Sequence, residues 1–383
     1  MAAALEARQE EILAANRRDL EALDPAATGE AFIDRLKLDE GRIGQMAQGL
    51  REVADLPDPV GEVTSTWRRP NGLLIERQRV PLGVIGIIYE SRPNVTADAA
   101  GLCLKAGNAI ILRGGSEAFH TNETLARFLE EAGRGAGLPL QWLQIVPTTD
   151  RAAVREVLSR HQEIDLIVPR GGESLVQMVR ENSRIPVIYH EKGLCHVYVD
   201  TEADLEMATR IVLNAKAQRP GVCNAMETLL VHQDVAEKFL GHAGLLLRQA
   251  GVELRGCPET QKILPEALPA TEADWETEYL ALVLSVRVVP DLDAAVSHIE
   301  RYGSGLSESI VTRDGARGQE FLERVDAAAV YVNASTRFTD GNQFGFGAEL
   351  GVSTQKLHAR GPMGLEELTS YKYIVHGEGQ IRT

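Results

Sequence analysis

Cysteine is scarce in this chain. There are four, Cys103, Cys195, Cys223 and Cys257, in 383 residues. No two are spaced C-x-x-C, which excludes a zinc knuckle and a thioredoxin motif. Scattered thiols in a large chain fit a reducing compartment rather than a disulfide framework, so a cytoplasmic location is expected. No window approaches the ~18 apolar residues of a membrane span. The opening stretch, MAAALEARQEEILAANRRDLEAL, carries charge throughout, alternates at helical spacing and lacks the apolar core of a signal peptide. Positive charge is also short. The net charge of −15 argues against nucleic acid or an anionic membrane as a partner. It does not exclude an anionic small molecule, because local arginines and helix N-termini can bind one. G-x-G-x-x-G, G-x-S-x-G, H-E-x-x-H and P-loop motifs are all missing. A serine hydrolase, a zinc peptidase and a P-loop kinase therefore have no support. His190, Glu191, Cys195 and His196 crowd together in YHEKGLCH, but no second cluster has matching ligand spacing, so no metal is expected.

What is present reads as an α/β protein. The length suggests two or three domains, and 44% apolar with 25% charged residues is ordinary globular composition. Residues 1–56 read as helices. In DEGRIGQMAQGLREVADLPDP, Ile43, Met46, Leu50 and Val53 fall on one face, and Pro57 and Pro59 stop it. TSTWRRPNGLLIERQRVP alternates on both sides of Asn71-Gly72, which predicts a polar β-hairpin standing apart from the core. Next come apolar runs separated by helical patterns: LGVIGIIYE, AIILRG, LQIVP, IDLIVPR, IPVIYH and CHVYVD. Strands alternating with helices of this length predict right-handed crossovers and a doubly wound parallel sheet. A second α/β pattern follows, with METLLVH, LALVLSVRVVP, ESIVT and AAAVYVN as strands. The tail LTSYKYIVHGEGQIRT ends in a strand expected to lack a partner in its own domain.

Two loops suit a phosphate. ILRGGSE, with Arg113, Ser116 and Glu117, and IVPRGGESL, with Arg170, Gly171, Gly172 and Ser174, each place an arginine and glycines between a buried strand and a helix. Glycines let a backbone approach a pyrophosphate, and a helix start offers free N–H groups. Ordinary strand–helix turns would look similar. Cys223 follows a helix and the breaker Arg219-Pro220-Gly221 and precedes a strand. Free backbone N–H groups at such a junction lower a thiol pKa and can hold an oxyanion. Against this, free cysteine is more often a packing residue. Asn94 in YESRPNVTADAA lies just past a strand end, where open α/β sheets hold ligands. It equally suits a helix N-cap.

SRPNVTADAA, RPGVCNAMETLLVH, YVNASTRFTDG and STQKLHARGPMGLEELTSYKYI closely resemble the gamma-glutamyl phosphate reductases (glutamate-5-semialdehyde dehydrogenases), a branch of the aldehyde dehydrogenase superfamily. The likeness spans essentially the whole chain. It implies an aldehyde-dehydrogenase-like fold of two doubly wound parallel-sheet domains plus a β-hairpin oligomerisation arm. The implied boundaries are 1–62 and 81–193 for the NADP-binding domain, 194–358 for the catalytic domain, and 63–80 and 366–383 for the arm. It also implies a start some tens of residues later than the family's usual one. The implied reaction is NADPH-dependent reduction of L-glutamyl 5-phosphate to L-glutamate 5-semialdehyde and phosphate, the second step of proline biosynthesis from glutamate.

The resemblance also implies residue roles. Cys223 is the nucleophile, and Asn94 donates to the oxyanion. Glu278 holds the nicotinamide ribose. Arg113, Ser116 and Glu117 lie on the adenosine side, and Arg170, Gly171, Gly172 and Ser174 at the pyrophosphate. An arginine in either loop favours NADP(H) over NAD(H). Asn333, Ser335 and Thr336 belong to the loop that grips the amino-acid end, and Arg92, Arg219 and Arg337 are candidates for a carboxylate or phosphate. Glu191 matches the water-activating glutamate of hydrolytic relatives, a base that a reductase does not need. A homo-oligomer, at least a dimer, is implied, with the upstream glutamate kinase as a conceivable further partner. Cys103, Cys195 and Cys257 are expected to be packing residues.

Overall fold

The computed structural model describes residues 1–24 and 30–382. Residues 25–29, inside the stretch read as helical, and Thr383 of the expected arm lie outside the described residues. Two compact units emerge. One comprises Met1–Tyr189, Gly345–Gly351 and Pro362–Thr383, and the other His190–Phe344 and Val352–Gly361. The hairpin and the C-terminal strand therefore belong to the first compact unit.

The first unit is built on a four-stranded parallel sheet in the order Leu143–Ile145, Ala109–Gly114, Val84–Tyr89, Leu166–Arg170. Val84–Tyr89 is central and almost wholly buried, as its unbroken apolar run predicts. The chain moves outward through two strands and then crosses to the opposite side of Val84–Tyr89. That reversal puts a switch point between Tyr89 and Arg170. Among the helices, Glu40–Asp55 buries Ile43, Met46, Ala47, Leu50 and Val53, and Asp39 caps it by accepting the Arg42 N–H at 2.8 Å. IPVIYH does not form the expected strand. Its only ladder contact is a single bridge, Val187 to Ile167. Pro186 has no N–H to give a ladder, and its carbonyl is taken by Ile167.

The hairpin forms as predicted, Val63–Arg68 against Leu74–Pro81, with Gly72 in the left-handed region at φ 92°. The tail strand is not left without a partner. Thr369–His376 runs antiparallel to Leu74–Pro81 over its whole length, making a three-stranded sheet. Alternation alone could not reveal this partner, which lies nearly three hundred residues earlier in the chain. Trp67, Tyr371, Tyr373 and Val375 are exposed on this sheet.

The second unit is a seven-stranded parallel sheet. Its order is Leu268–Pro269, Glu253–Gly256, Val283–Val289, Met226–His232, Cys195–Val199, Ser307–Val311, Ala329–Val332. Alternate residues serve two cores. Val197, Val199, Leu229 and Val231 pack with helices Leu205–Ala217 and Gln233–Gln249, while Tyr198, Leu230 and Ile310 pack with Leu292–Tyr302 and Phe321. Strands Glu253–Gly256 and Leu268–Pro269 were not foreseen. They are short and interrupted by helix Pro258–Ile263.

Candidate active site

Of the four cysteines, Cys223 alone is only half-buried. Burial pushes the Cys103 thiol up to about 12 and the Cys195 thiol well above its ordinary range, so neither supplies a thiolate near neutral pH. Cys223 stands in the turn between helix Leu205–Ala217 and strand Met226–His232. It is therefore at the N-terminal edge of the parallel sheet, the edge opposite to the one where α/β sheets usually hold ligands.

Several groups pin this turn. The Cys195 thiol donates to the Cys223 carbonyl at 3.3 Å. Gly193 packs directly on the Cys223 backbone, leaving no room for a side chain. Asn224 Nδ2 donates to the Thr339 carbonyl at 2.8 Å, and Thr336 Oγ donates to the Asn224 carbonyl at 2.8 Å. Residues 333–339 reach this edge by doubling back. After strand Ala329–Val332 the chain turns at Asn333, φ 59°, and runs beside Ser309 to meet Ser307 at Thr339.

These contacts sort the expected substrate residues. Asn333 uses both ends of its amide on the backbone of Thr312, at 3.0 and 2.9 Å. Thr336 is fully buried, with its hydroxyl engaged on Asn224. Both therefore shape the loop. Ser335 accepts the Arg337 N–H at 3.3 Å, and Arg337 Nε donates to Gln218 at 2.9 Å. Partial burial lowers the Arg337 pKa, the neighbouring Arg219 charge adds to that, and the Asp340 and Cys223 side chains oppose it. Arg219, Arg337 and Cys223 are thus electrostatic neighbours. Glu191 is exposed, two residues before Gly193. Glu278 is half-buried in the irregular segment before strand Val283–Val289.

His190, Glu191, Cys195 and His196 do not converge. His190 Nδ1 lies 3.1 Å from the Val352 carbonyl, and His196 Nδ1 lies 2.9 Å from Glu308 Oε2. Among the described residues no group of three or more His, Cys, Asp or Glu is arranged around a metal ion, and no helix is long and apolar enough to cross a membrane.

In the first unit the candidate residues gather at the C-terminal edge of the parallel sheet, around its switch point. Asn94 is the first residue of helix Asn94–Lys105, not its cap, and its amide Nδ2 donates to Asp98 at 2.9 Å. The preceding turn carries half-buried Arg92 and a left-handed Ser91, φ 41°. Glu117 holds that turn, accepting the Ser91 N–H at 2.6 Å. Its carboxylate is thereby engaged with the backbone of that turn.

Arg113 is buried, donating to the carbonyls of Gly114 at 2.8 Å and Thr149 at 3.1 Å. Burial lowers its pKa, Glu117 and Glu90 oppose that, and Arg151 reinforces it. Arg170 lies against Gly351. Gly172 N–H, at the start of helix Glu173–Asn182, meets the Glu90 carboxylate at 3.1 Å. A side chain added at Gly172 would meet nothing within 4 Å, so the face of its Cα is open while its N–H is held by Glu90. Ser116 and Ser174 are exposed. A cleft of about 330 Å³ touches Ser116, Glu117 and Thr149. An open glycine Cα face at a helix start, exposed hydroxyls and a nearby arginine fit a dinucleotide.

Sequence reasoning missed Glu90, Asp98, Gly193, Lys216 and Glu227. Two of these left a signal: Lys216 sits on the apolar face of its helix, and Glu227 interrupts an apolar strand.

Comparison with known proteins agrees over nearly the whole chain. The Aldehyde dehydrogenase family matches residues 3–253 and 266–374. The gamma-glutamyl phosphate reductase of Moorella thermoacetica is 62% identical over 382 residues, covering 100% of this chain and 91% of the relative. That of Carboxydothermus hydrogenoformans is 59% identical, covering 99% and 91%. The crystal structure of gamma-glutamyl phosphate reductase from Thermotoga maritima superposes with a TM-score of 0.97 at 49% identity, covering 100% of this chain and 92% of that one.

Proposed function

The chain belongs to the aldehyde dehydrogenase family, and we propose that it reduces L-glutamyl 5-phosphate to L-glutamate 5-semialdehyde and phosphate through a thioester on Cys223. The observation that carries this reading is Cys223 itself: the one accessible thiol, in a turn pinned from several sides, beside Arg219 and Arg337. Relatives at about 60% identity bear the name of that activity.

The Cys223 thiolate attacks the acyl carbonyl. The Asn94 amide and the Cys223 N–H hold the developing oxyanion, and the phosphate leaves with the C–O bonding pair. A nicotinamide cofactor, its ribose held by Glu278, would supply the hydride that the thioester carbonyl carbon takes up. Cys223 then leaves as thiolate and the aldehyde forms. Arg219, Arg337 and Ser335 are the candidates for the substrate's anionic ends. Glu278 is assigned the nicotinamide ribose, Gly171, Gly172 and Ser174 the pyrophosphate, and Ser116 with Arg113 the adenosine side. Arg151, exposed at the start of helix Arg151–Ser159 and sensed by Arg113, favours NADPH over NADH. No step calls for a water-activating base, so Glu191 has none to perform. The exposed aromatic sheet supports a homo-oligomer.

The test runs the reaction backwards. Glutamate 5-semialdehyde should reduce NADP in a phosphate-dependent manner, and Cys223→Ala should abolish it. Equal rates without phosphate would point to a hydrolytic aldehyde dehydrogenase and overturn this reading.

A further inference from the structure

Lys216 and Glu227 form an ion pair wholly inside the second unit. Lys216 Nζ lies 2.5 Å from Glu227 Oε2, and the two side chains are 0% and 1% exposed. Taking two charges out of water is unfavourable, and replacing such a pair by apolar residues often leaves a protein as stable or more so. Stability alone therefore gives no reason for this pair. Its second contact does. Glu227 Oε1 accepts the N–H of Leu280 at 3.2 Å. Leu280 has φ 52°, a left-handed conformation that a leucine rarely adopts without an outside anchor.

The segment around Leu280 is held on both sides. The Tyr279 hydroxyl reaches Asp274 Oδ1 at 2.9 Å and Ser285 Oγ at 2.9 Å. Lys216 Nζ stands 5.8 Å from the Tyr279 ring centroid and Arg255 5.1 Å from it. The Leu280 carbonyl passes Gly221, two residues before Cys223, close enough that a side chain there would stand 3.7 Å away. Glu278 is near enough for its charge to act on both members of the pair. The Glu278 charge thus acts on the same pair whose Glu227 holds the neighbouring Leu280 N–H.

We propose that Lys216 and Glu227 are positioning residues that fix the 278–280 segment beside the Cys223 turn, and so fix where Glu278 holds the nicotinamide ribose. This rests on the reading of Glu278 given above. In Glu227→Gln one amide must face both the Lys216 ammonium and the Leu280 N–H, so one contact fails. In the double variant Lys216→Met, Glu227→Leu the interior is apolar and filled, but the Leu280 N–H loses its acceptor.

Both variants should bind NADPH about tenfold more weakly in a fluorescence titration, while iodoacetamide labels Cys223 at a rate within about twofold of the parent. Glu278→Ala should weaken NADPH similarly, and adding Glu227→Gln to it should weaken it no further. The inference is overturned if the double variant binds NADPH as tightly as the parent. It is equally overturned if the Glu227 and Glu278 effects multiply, or if Cys223 labelling falls in step with affinity. Should Glu278→Ala leave NADPH affinity unchanged, the reading of Glu278 falls and takes the inference with it. Should Glu278→Ala weaken binding while the pair variants do not, the inference falls alone.

Discussion

Gly193 lies flat against the backbone of Cys223: a β-carbon built on it would stand 2.5 Å from the Cys223 Cα. The contact is with main chain, so no flexible side chain can give way. Gly193→Ala should displace Cys223, the proposed nucleophile, and lower kcat by about 100-fold, as small misplacements of a reacting group do. Steady-state kinetics check this. Dinucleotide binding by the first unit's loops should survive, which separates the effect from general misfolding.

The hydrogen bond from Asn94 to Asp98 supports a second expectation. The Asp98 carboxylate accepts one of the two Nδ2 hydrogens, which fixes the orientation of the amide and would leave the second N–H to donate to an oxyanion. Asn94→Ala should cost roughly 100- to 1,000-fold in kcat, the range for removing one oxyanion donor.

Asp98 itself carries a pH signature. Burial pushes its carboxyl up to about 6 from an ordinary 3.8, against the pull of Asn94 and Arg170. The folded value lies above the unfolded one, so the native state binds the proton more tightly. That contribution to stability is complete below about pH 4 and is lost as the pH rises through 6. Asp98→Asn removes the titration. Its melting temperature relative to the parent should therefore rise between pH 4 and pH 8, while kcat falls several-fold. Thermal melts at the two pH values and one activity assay decide it.

For the buried pair, stability and function should come apart. Lys216→Met alone strands the Glu227 carboxylate in the interior and should destabilise by about 3–5 kcal/mol. Adding Glu227→Leu should restore most of that loss, because the apolar pair removes the uncompensated charge. Chemical denaturation of both variants reads this out.

Arg151 gives a cofactor prediction. Arg151→Ala should raise KM for NADPH by about tenfold and leave KM for NADH nearly unchanged, since a lost charge-assisted hydrogen bond amounts to ~1.5–3 kcal/mol. An unchanged ratio of the two KM values would remove Arg151 as the 2′-phosphate partner.

By itself the sequence determined what is local and periodic. The unbroken run at 84–89 made a strand buried on both faces, Asn71-Gly72 made a hairpin, and the apolar stripe after Asp39 made a helix stopped by Pro57. Cys223 stood out at a helix–strand junction for the same reason: its flanking breakers are neighbours in the chain. Family resemblance then attached roles to residues whose surroundings no spacing revealed.

Only the tertiary structure decided the rest. It set the Arg113, Asn333 and Thr336 side chains on backbone groups, and gave the C-terminal strand the hairpin as its partner. It brought Gly193 against the Cys223 backbone, thirty residues away in the chain. It joined Lys216 to Glu227 and both to Leu280, three residues on a helix, a strand and a loop. Each of these depends on sheet order and on side chains meeting across long stretches of chain. Those contacts are set by how the cores pack, and a pattern that repeats every two or four residues carries no record of them.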